Sequence, residues 1–127
     1  MRNLLLVMIG GAAGAGLRFE LGRLALRQLG PGFPWGTLGV NLIGGLLMGV
    51  LAGSMMGQGS IDRPLWLLLA VGLLGGFTTF SAFSFDLFAM LERGRFGSAA
   101  LYAGVSVLGS LFLLALGWWA ARAAVGA

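Results

Sequence analysis

Among its 127 residues the chain has no cysteine, no histidine and no lysine. Without cysteine there is no disulfide, no thiolate nucleophile and no clue to redox compartment. Without histidine the commonest general base and metal ligand are missing, and without lysine a Walker-type phosphate loop cannot be built. No nucleophile–base pair can be assembled from what remains, so an enzyme is not expected. Charge is scarce as well: eight arginines and four acids make 9% of the chain, against about a quarter in a soluble domain. An ordinary soluble domain is thereby excluded. The arginines are scattered rather than clustered on one face, so they make no nucleic-acid footprint. They suit helix-end anchors, and the net charge of +4 gives a positive potential that favours anions.

What fills the chain is apolar. Its mean hydropathy of +0.96 comes from long runs, and residues 28–61, 64–85 and 96–121 carry no charge at all. Each run exceeds the roughly 18 residues that signal a spanning helix. The N-terminal run, 4–17, becomes long enough only by continuing past Arg18 through Leu21, Leu24 and Leu29. The pattern predicts four transmembrane helices, at about 4–29, 35–57, 64–91 and 98–124, in one all-α domain covering 1–127. Loops this short make neighbouring helices antiparallel. Pro64 suits a first helical turn, which needs no amide hydrogen, and Trp35, Trp118 and Trp119 suit the interfacial belt. The opening MRNLLLVMIGGAAGAG has the build of a secretory signal. Removing it would deprive the later segments of a packing partner, so it is read as the first span.

The arginines give almost no vote on orientation. Arg23, Arg27, Arg93 and Arg95 fall on one side, and Arg2, Arg63 and Arg122 on the other. With so little bias the chain could insert both ways, which makes an antiparallel homodimer possible. The 24 glycines often stand four apart, as in Gly10 with Gly14, Gly45 with Gly49, and Gly72 with Gly76. That spacing lets helix backbones approach closely, within a subunit or between subunits.

Several polar groups lie where a lipid-facing helix would carry leucine. In a regular helix Glu20, Arg23 and Arg27 share a stripe, and Arg18 lies nearly opposite Arg27. Arg18 therefore points to an interior or a water-filled vestibule, or else snorkels to a helix end. Asn41 falls about 9 Å into helix 2, where its amide must find partners. Either it makes an interhelical hydrogen bond or it is a donor beside a permeation path. Ser98, Tyr102, Ser106 and Ser110 repeat at i, i+4 along helix 4, as interhelical bonding groups or as a ladder for a passing ion. In GGFTTFSAFS, Gly75 falls about 16 Å along helix 3, near the bilayer midplane. Two glycines followed by two threonines predict a helix break there, which would free backbone carbonyls able to hold a small cation. Phe77, Phe80 and Phe83 repeat beside Thr78, Ser81 and Ser84. Ring edges are electropositive, and edges next to hydroxyls would replace an anion's hydration without trapping it.

Three stretches carry a resemblance: GGAAGAGLRF at 10–19, GTLGVNLIG at 36–44 and GGFTTFSAFSFD at 75–86. With these the chain resembles the Fluc fluoride channels of the CrcB family over essentially its whole length. The resemblance implies a passive, fluoride-selective channel in the inner (plasma) membrane, built as an antiparallel homodimer with two pores. It implies Arg18 in the vestibule, and Asn41, Phe80 and Phe83 along the fluoride path. Thr79, Ser81, Tyr102 and Ser110 would belong to the polar track or its surroundings. A central sodium ion would be held by the backbone carbonyls of Gly75 and Thr78 from both subunits. Asp86 falls where relatives carry a carboxylate near a pore end.

Two other classes compete. A small proton-coupled multidrug exporter also has four helices, but it needs a carboxylate within the bundle, and Glu20 lies on the Arg23/Arg27 stripe. A non-transporting scaffold would use every polar group above for packing alone.

Overall fold

The computed structural model describes residues 1–56 and 62–126. Four long apolar helices dominate it: α1 (Arg2–Leu29), α2 (Trp35–Met56), α3 (Arg63–Glu92) and α4 (Phe96–Ala124), each long and apolar enough to cross a membrane. The sequence places all four, including the continuation of α1 past Arg18. The expected end of helix 2 at Gly57 lies outside the described residues, as does most of the turn after it. Local chemistry explains the ends that are described. Gly30 takes φ 79°, ψ 177° and sends its N–H to the Leu26 carbonyl, a positive-φ end to the helix that suits glycine. Asp62 accepts a hydrogen bond from the Leu65 amide at 3.1 Å, capping α3 just ahead of Pro64. Gly94, at φ 72°, makes the tight reversal into α4.

Two helices are not uniform. In α3 the segment Leu67–Leu74 is wound as a wider π-type helix, followed by a short α turn, Gly75–Phe77. In α4 the same winding occupies Val105–Gly109. The helix break in α3 is real but begins later than the glycines suggest. Gly75 and Gly76 stay helical, and Thr78 turns extended at φ −87°, ψ 157°, before the helix resumes as Ser81–Glu92. Here glycine serves close approach. A methyl on Gly76 would sit 2.6 Å from the Gly11 carbonyl oxygen, so the second glycine lets α3 lie against α1.

The same device joins α2 to α4. A methyl on Gly45 would meet the Ser110 carbonyl at 2.8 Å, one on Gly53 the Trp118 carbonyl at 2.6 Å, and one on Gly49 would overlap the Leu114 backbone. These partners advance in step along both helices, so α2 and α4 run parallel in tight contact. Gly10, Gly14, Gly72 and Gly76 do the same for α1 and α3. All three glycine pairs read from the sequence are thus spent on contacts inside one chain, where dispersion at short range replaces a hydrophobic drive. Between the pairs lies a core of Leu38, Phe83, Met90, Ala99 and Tyr102, with Tyr102 fully enclosed.

Candidate functional site

The break in α3 leaves backbone groups that a continuous helix would pair, and neighbouring side chains take four of them. Asn41, on α2, faces Thr79 with both arms of its amide. Its Nδ2 donates to the Thr79 carbonyl at 3.0 Å, and its Oδ1 accepts from the Thr79 amide at 2.8 Å. An asparagine amide has the donor–acceptor pattern of a peptide, so it stands in for the missing strand of the helix ladder. One of its two N–H donors remains. Thr79 then caps the second half of α3, its Oγ1 accepting from the Ala82 amide at 3.2 Å. Thr78 bonds back to Leu74 through both its amide and its hydroxyl, each at 3.0 Å. From α1, Arg18 donates through Nε to the Gly76 carbonyl at 3.1 Å.

This pairing leaves three carbonyls, those of Gly75, Phe77 and Thr78, without the amides a helix would send them. The Thr79 N–H, due to Gly75, goes to Asn41, and the Ala82 N–H, due to Thr78, goes to the Thr79 hydroxyl. The carbonyls of Gly75 and Thr78 are the two that the family resemblance implies as cation ligands. Among the described residues no three His, Cys, Asp or Glu side chains come together, so neutral oxygens are the donors available at this depth. Carbonyl oxygens suit a hard cation.

A cleft of about 380 Å³ opens beside the break. Asn41, Thr78, Thr79 and Ser110 give it polar groups, Phe80 and Phe83 give it rings, and Gly44, Gly45 and Gly75 keep it open. Ser110 also donates to the Asn41 carbonyl at 3.3 Å, tying α4 to α2. The two phenylalanine rings are 5.7 Å apart and tilted by 42°. They differ sharply in setting, since Phe83 is 7% exposed and Phe80 77%. Phe83 is fixed by Tyr102, 5.1 Å away, whereas Phe80 stands on the open side of the cleft.

Three sequence-derived candidates lie off this cleft. Arg18 lines a neighbouring cavity of about 230 Å³ with Thr37, Thr79 and Ala82, on the other side of the break. Ser81 is exposed, its Oγ 3.4 Å from Thr79 Oγ1. Tyr102 is buried, and its hydroxyl donates to Asp86 Oδ2 at 3.1 Å, which gives Asp86 a defined partner. One residue of the cleft was passed over among the site candidates. Ser106 lines it, is 6% exposed, and its Oγ has no hydrogen-bond partner among the described residues. Its place in the Ser98, Tyr102, Ser106, Ser110 stripe was the available signal, and Tyr102 and Ser110 overshadowed it.

Comparison with known proteins adds the family. The model described as "CrcB-like protein, Camphor Resistance (CrcB)" matches residues 5–118, most of the chain. The chain belongs to the CrcB-like family. Among its relatives, a protein of Chelativorans sp. is 48% identical over 96% of this chain and 98% of its own length. One of Phenylobacterium zucineum is 50% identical, over 96% and 97% respectively. One of Novosphingobium aromaticivorans is 53% identical, over 87% and 89%. All three are named "Fluoride-specific ion channel FluC". The CrcB-like match spans both the α2 segment that holds Asn41 and the broken α3, so the cleft lies wholly within it.

Proposed function

We propose that this chain is a passive, fluoride-selective channel of the bacterial inner membrane. The observation that carries the reading is near-full-length identity of about half with relatives bearing that name, in a chain whose break in α3 opens onto an apolar cleft set with an amide and several hydroxyls. Fluoride is small and holds its water strongly, so a path must replace that water with many weak donors. The Asn41 N–H left over from Thr79, the Ser110 and Thr79 hydroxyls, and the ring edges of Phe80 and Phe83 are donors of that kind. None carries a full positive charge, so none would hold the ion for long. Arg18, in the adjoining cavity, concentrates anions near the entrance. Ser81 and Tyr102 support the path from its margins.

The open side of the cleft, where Phe80 stands, is the face that a second copy of the chain would cover. Phe80, 77% uncovered, stands at the open mouth of a cleft that carries Asn41, Thr79 and Ser110, and an antiparallel partner would close that mouth with its own Phe80. The weak arginine bias supports insertion in both orientations. The carbonyls of Gly75 and Thr78, doubled by such a partner, would hold a sodium ion that fixes the two breaks together. The proton-coupled exporter gains no support: Glu20 pairs with Arg23 at 3.3 Å on an exposed stripe, and Asp86 is engaged by Tyr102.

The test is efflux from liposomes of purified protein loaded with potassium fluoride or potassium chloride, with a potassium ionophore and no energy source. Fluoride leaving at least about a hundredfold faster than chloride is expected. Equal rates, or fluoride retained, would overturn the proposal.

A further inference from the structure

Arg18 does something at the break that its charge alone does not require. A side chain serving only to attract anions has no reason to spend Nε on a backbone oxygen. Yet that atom donates to the Gly76 carbonyl at 3.1 Å, an oxygen lying between the helical Gly75 and the extended Thr78. The regular donor to Gly76 would be the Phe80 amide, and the extended turn at Thr78 and the residues after it removes that helix register. Asn41 performs the matching service from α2, taking the Thr79 carbonyl. Side chains of α1 and α2 thus satisfy the carbonyls of Gly76 and Thr79. Those of Gly75 and Thr78, whose regular amides are diverted, are left, together with that of Phe77, which the Ser81 amide does not reach.

We infer that Arg18 is a positioning residue for the break in α3: its Nε fixes the Gly76 carbonyl and so determines which backbone oxygens remain free for a cation. The sodium part rests on the cation reading above, while the clamp itself does not. Both α1 and α3 are locked at this level by Gly11 against Gly76, which delivers the Arg18 backbone to a set distance from the break. Partial burial of the contact strengthens a charge-assisted hydrogen bond relative to one in water.

Charge and donor can be separated by substitution. In Arg18→Gln the side-chain nitrogen falls at the same place along the chain as Nε, three bonds beyond Cβ, so the donor stays and the charge goes. In Arg18→Lys the charge stays and a methylene replaces the donor. Full-length protein in nanodiscs is compared by hydrogen exchange at the amides of 77–82, and by the sodium concentration giving half of the sodium-induced rise in melting temperature. N-methylglucamine replaces sodium as the control cation. Positioning predicts exchange about tenfold faster in Arg18→Lys, with near-parental exchange in Arg18→Gln. The sodium midpoint should rise severalfold in Arg18→Lys alone, while Arg18→Gln slows fluoride efflux at low fluoride. The reverse order, with Lys like the parent and Gln impaired in exchange and sodium midpoint, would overturn the inference. If Arg18→Lys does not fold, Arg18→Met, which carries neither donor nor charge, takes its place: exchange faster than in Arg18→Gln supports the clamp, and exchange equal to it refutes the clamp. A parent that melts identically in sodium and N-methylglucamine would remove the cation reading, and the exchange order would still decide the clamp.

Discussion

Replacing Asn41 with alanine removes two hydrogen bonds at once and leaves both backbone groups of Thr79 without a partner. The bonds are short, 2.8 and 3.0 Å, and sit in a partly buried cleft at membrane depth. An unsatisfied buried donor or acceptor costs about 1–3 kcal/mol. Partial burial puts each near the lower half of that range, so the pair is worth about 2–3 kcal/mol. That corresponds to a roughly 30- to 150-fold rise in local opening of the break. Titration of micellar protein with a denaturing detergent, followed by tryptophan fluorescence, reads the global loss. Hydrogen exchange at Thr79 reads the local one. Asn41→Asp sharpens the test, because it keeps the acceptor for the Thr79 amide but turns an anionic oxygen toward the Thr79 carbonyl. It should be no more stable than alanine, and it should pass less fluoride. An Asn41→Ala protein within about 0.5 kcal/mol of the parent, with the Thr79 amide still protected, would refute the claim that this side chain repairs the break.

Other substitutions probe the remaining parts. Gly49→Ala places a methyl on the Leu114 backbone and should cost about 1–3 kcal/mol or more by the same titration, whereas Gly16→Ala, with nothing within 4 Å, should not destabilise. Phe80→Ile should leave the chain folded, since the ring packs little within the subunit, while fluoride efflux falls at least about tenfold; unchanged efflux would remove the ring from the path. Exchanging sodium for N-methylglucamine should lower the melting temperature, consistent with about 2–3 kcal/mol of linkage at a hundredfold excess over the dissociation constant. No change would remove the central cation.

The architecture was legible because its signals are long and redundant. Three uncharged runs and a fourth interrupted by Arg18 can be satisfied only by spanning helices, and the structure places them within a few residues. The break was legible in kind but not in position. Glycine permits both loosened helix and close backbone approach, and sequence alone does not say which is in force. Contact of Gly76 with Gly11 decided for approach, and the break moved to Thr78. Asn41 was legible as a polar group in need of partners. That its partner would be the Thr79 backbone, 38 residues away, was not, because it depends on where α3 breaks. Arg18 was legible as lying away from the Glu20, Arg23 and Arg27 stripe, with an inward and a snorkelling side chain both open; the bond from Nε to the Gly76 carbonyl turns it toward α3, and that needed coordinates. Ser106 was legible only as one rung of the hydroxyl ladder on helix 4. A serine in a helix usually bonds back to its own turn, and only its buried, unpartnered Oγ separates it from that habit.

The most direct test of the central claim is the reversal potential of current through a planar bilayer holding the purified channel, with fluoride on one side and chloride on the other. A selectivity ratio of a hundred or more should place that potential about 118 mV or further from zero, toward the fluoride equilibrium, at about 59 mV per tenfold. A reversal within about 20 mV of zero, or no current in either direction, would contradict a cleft built to replace the water of fluoride.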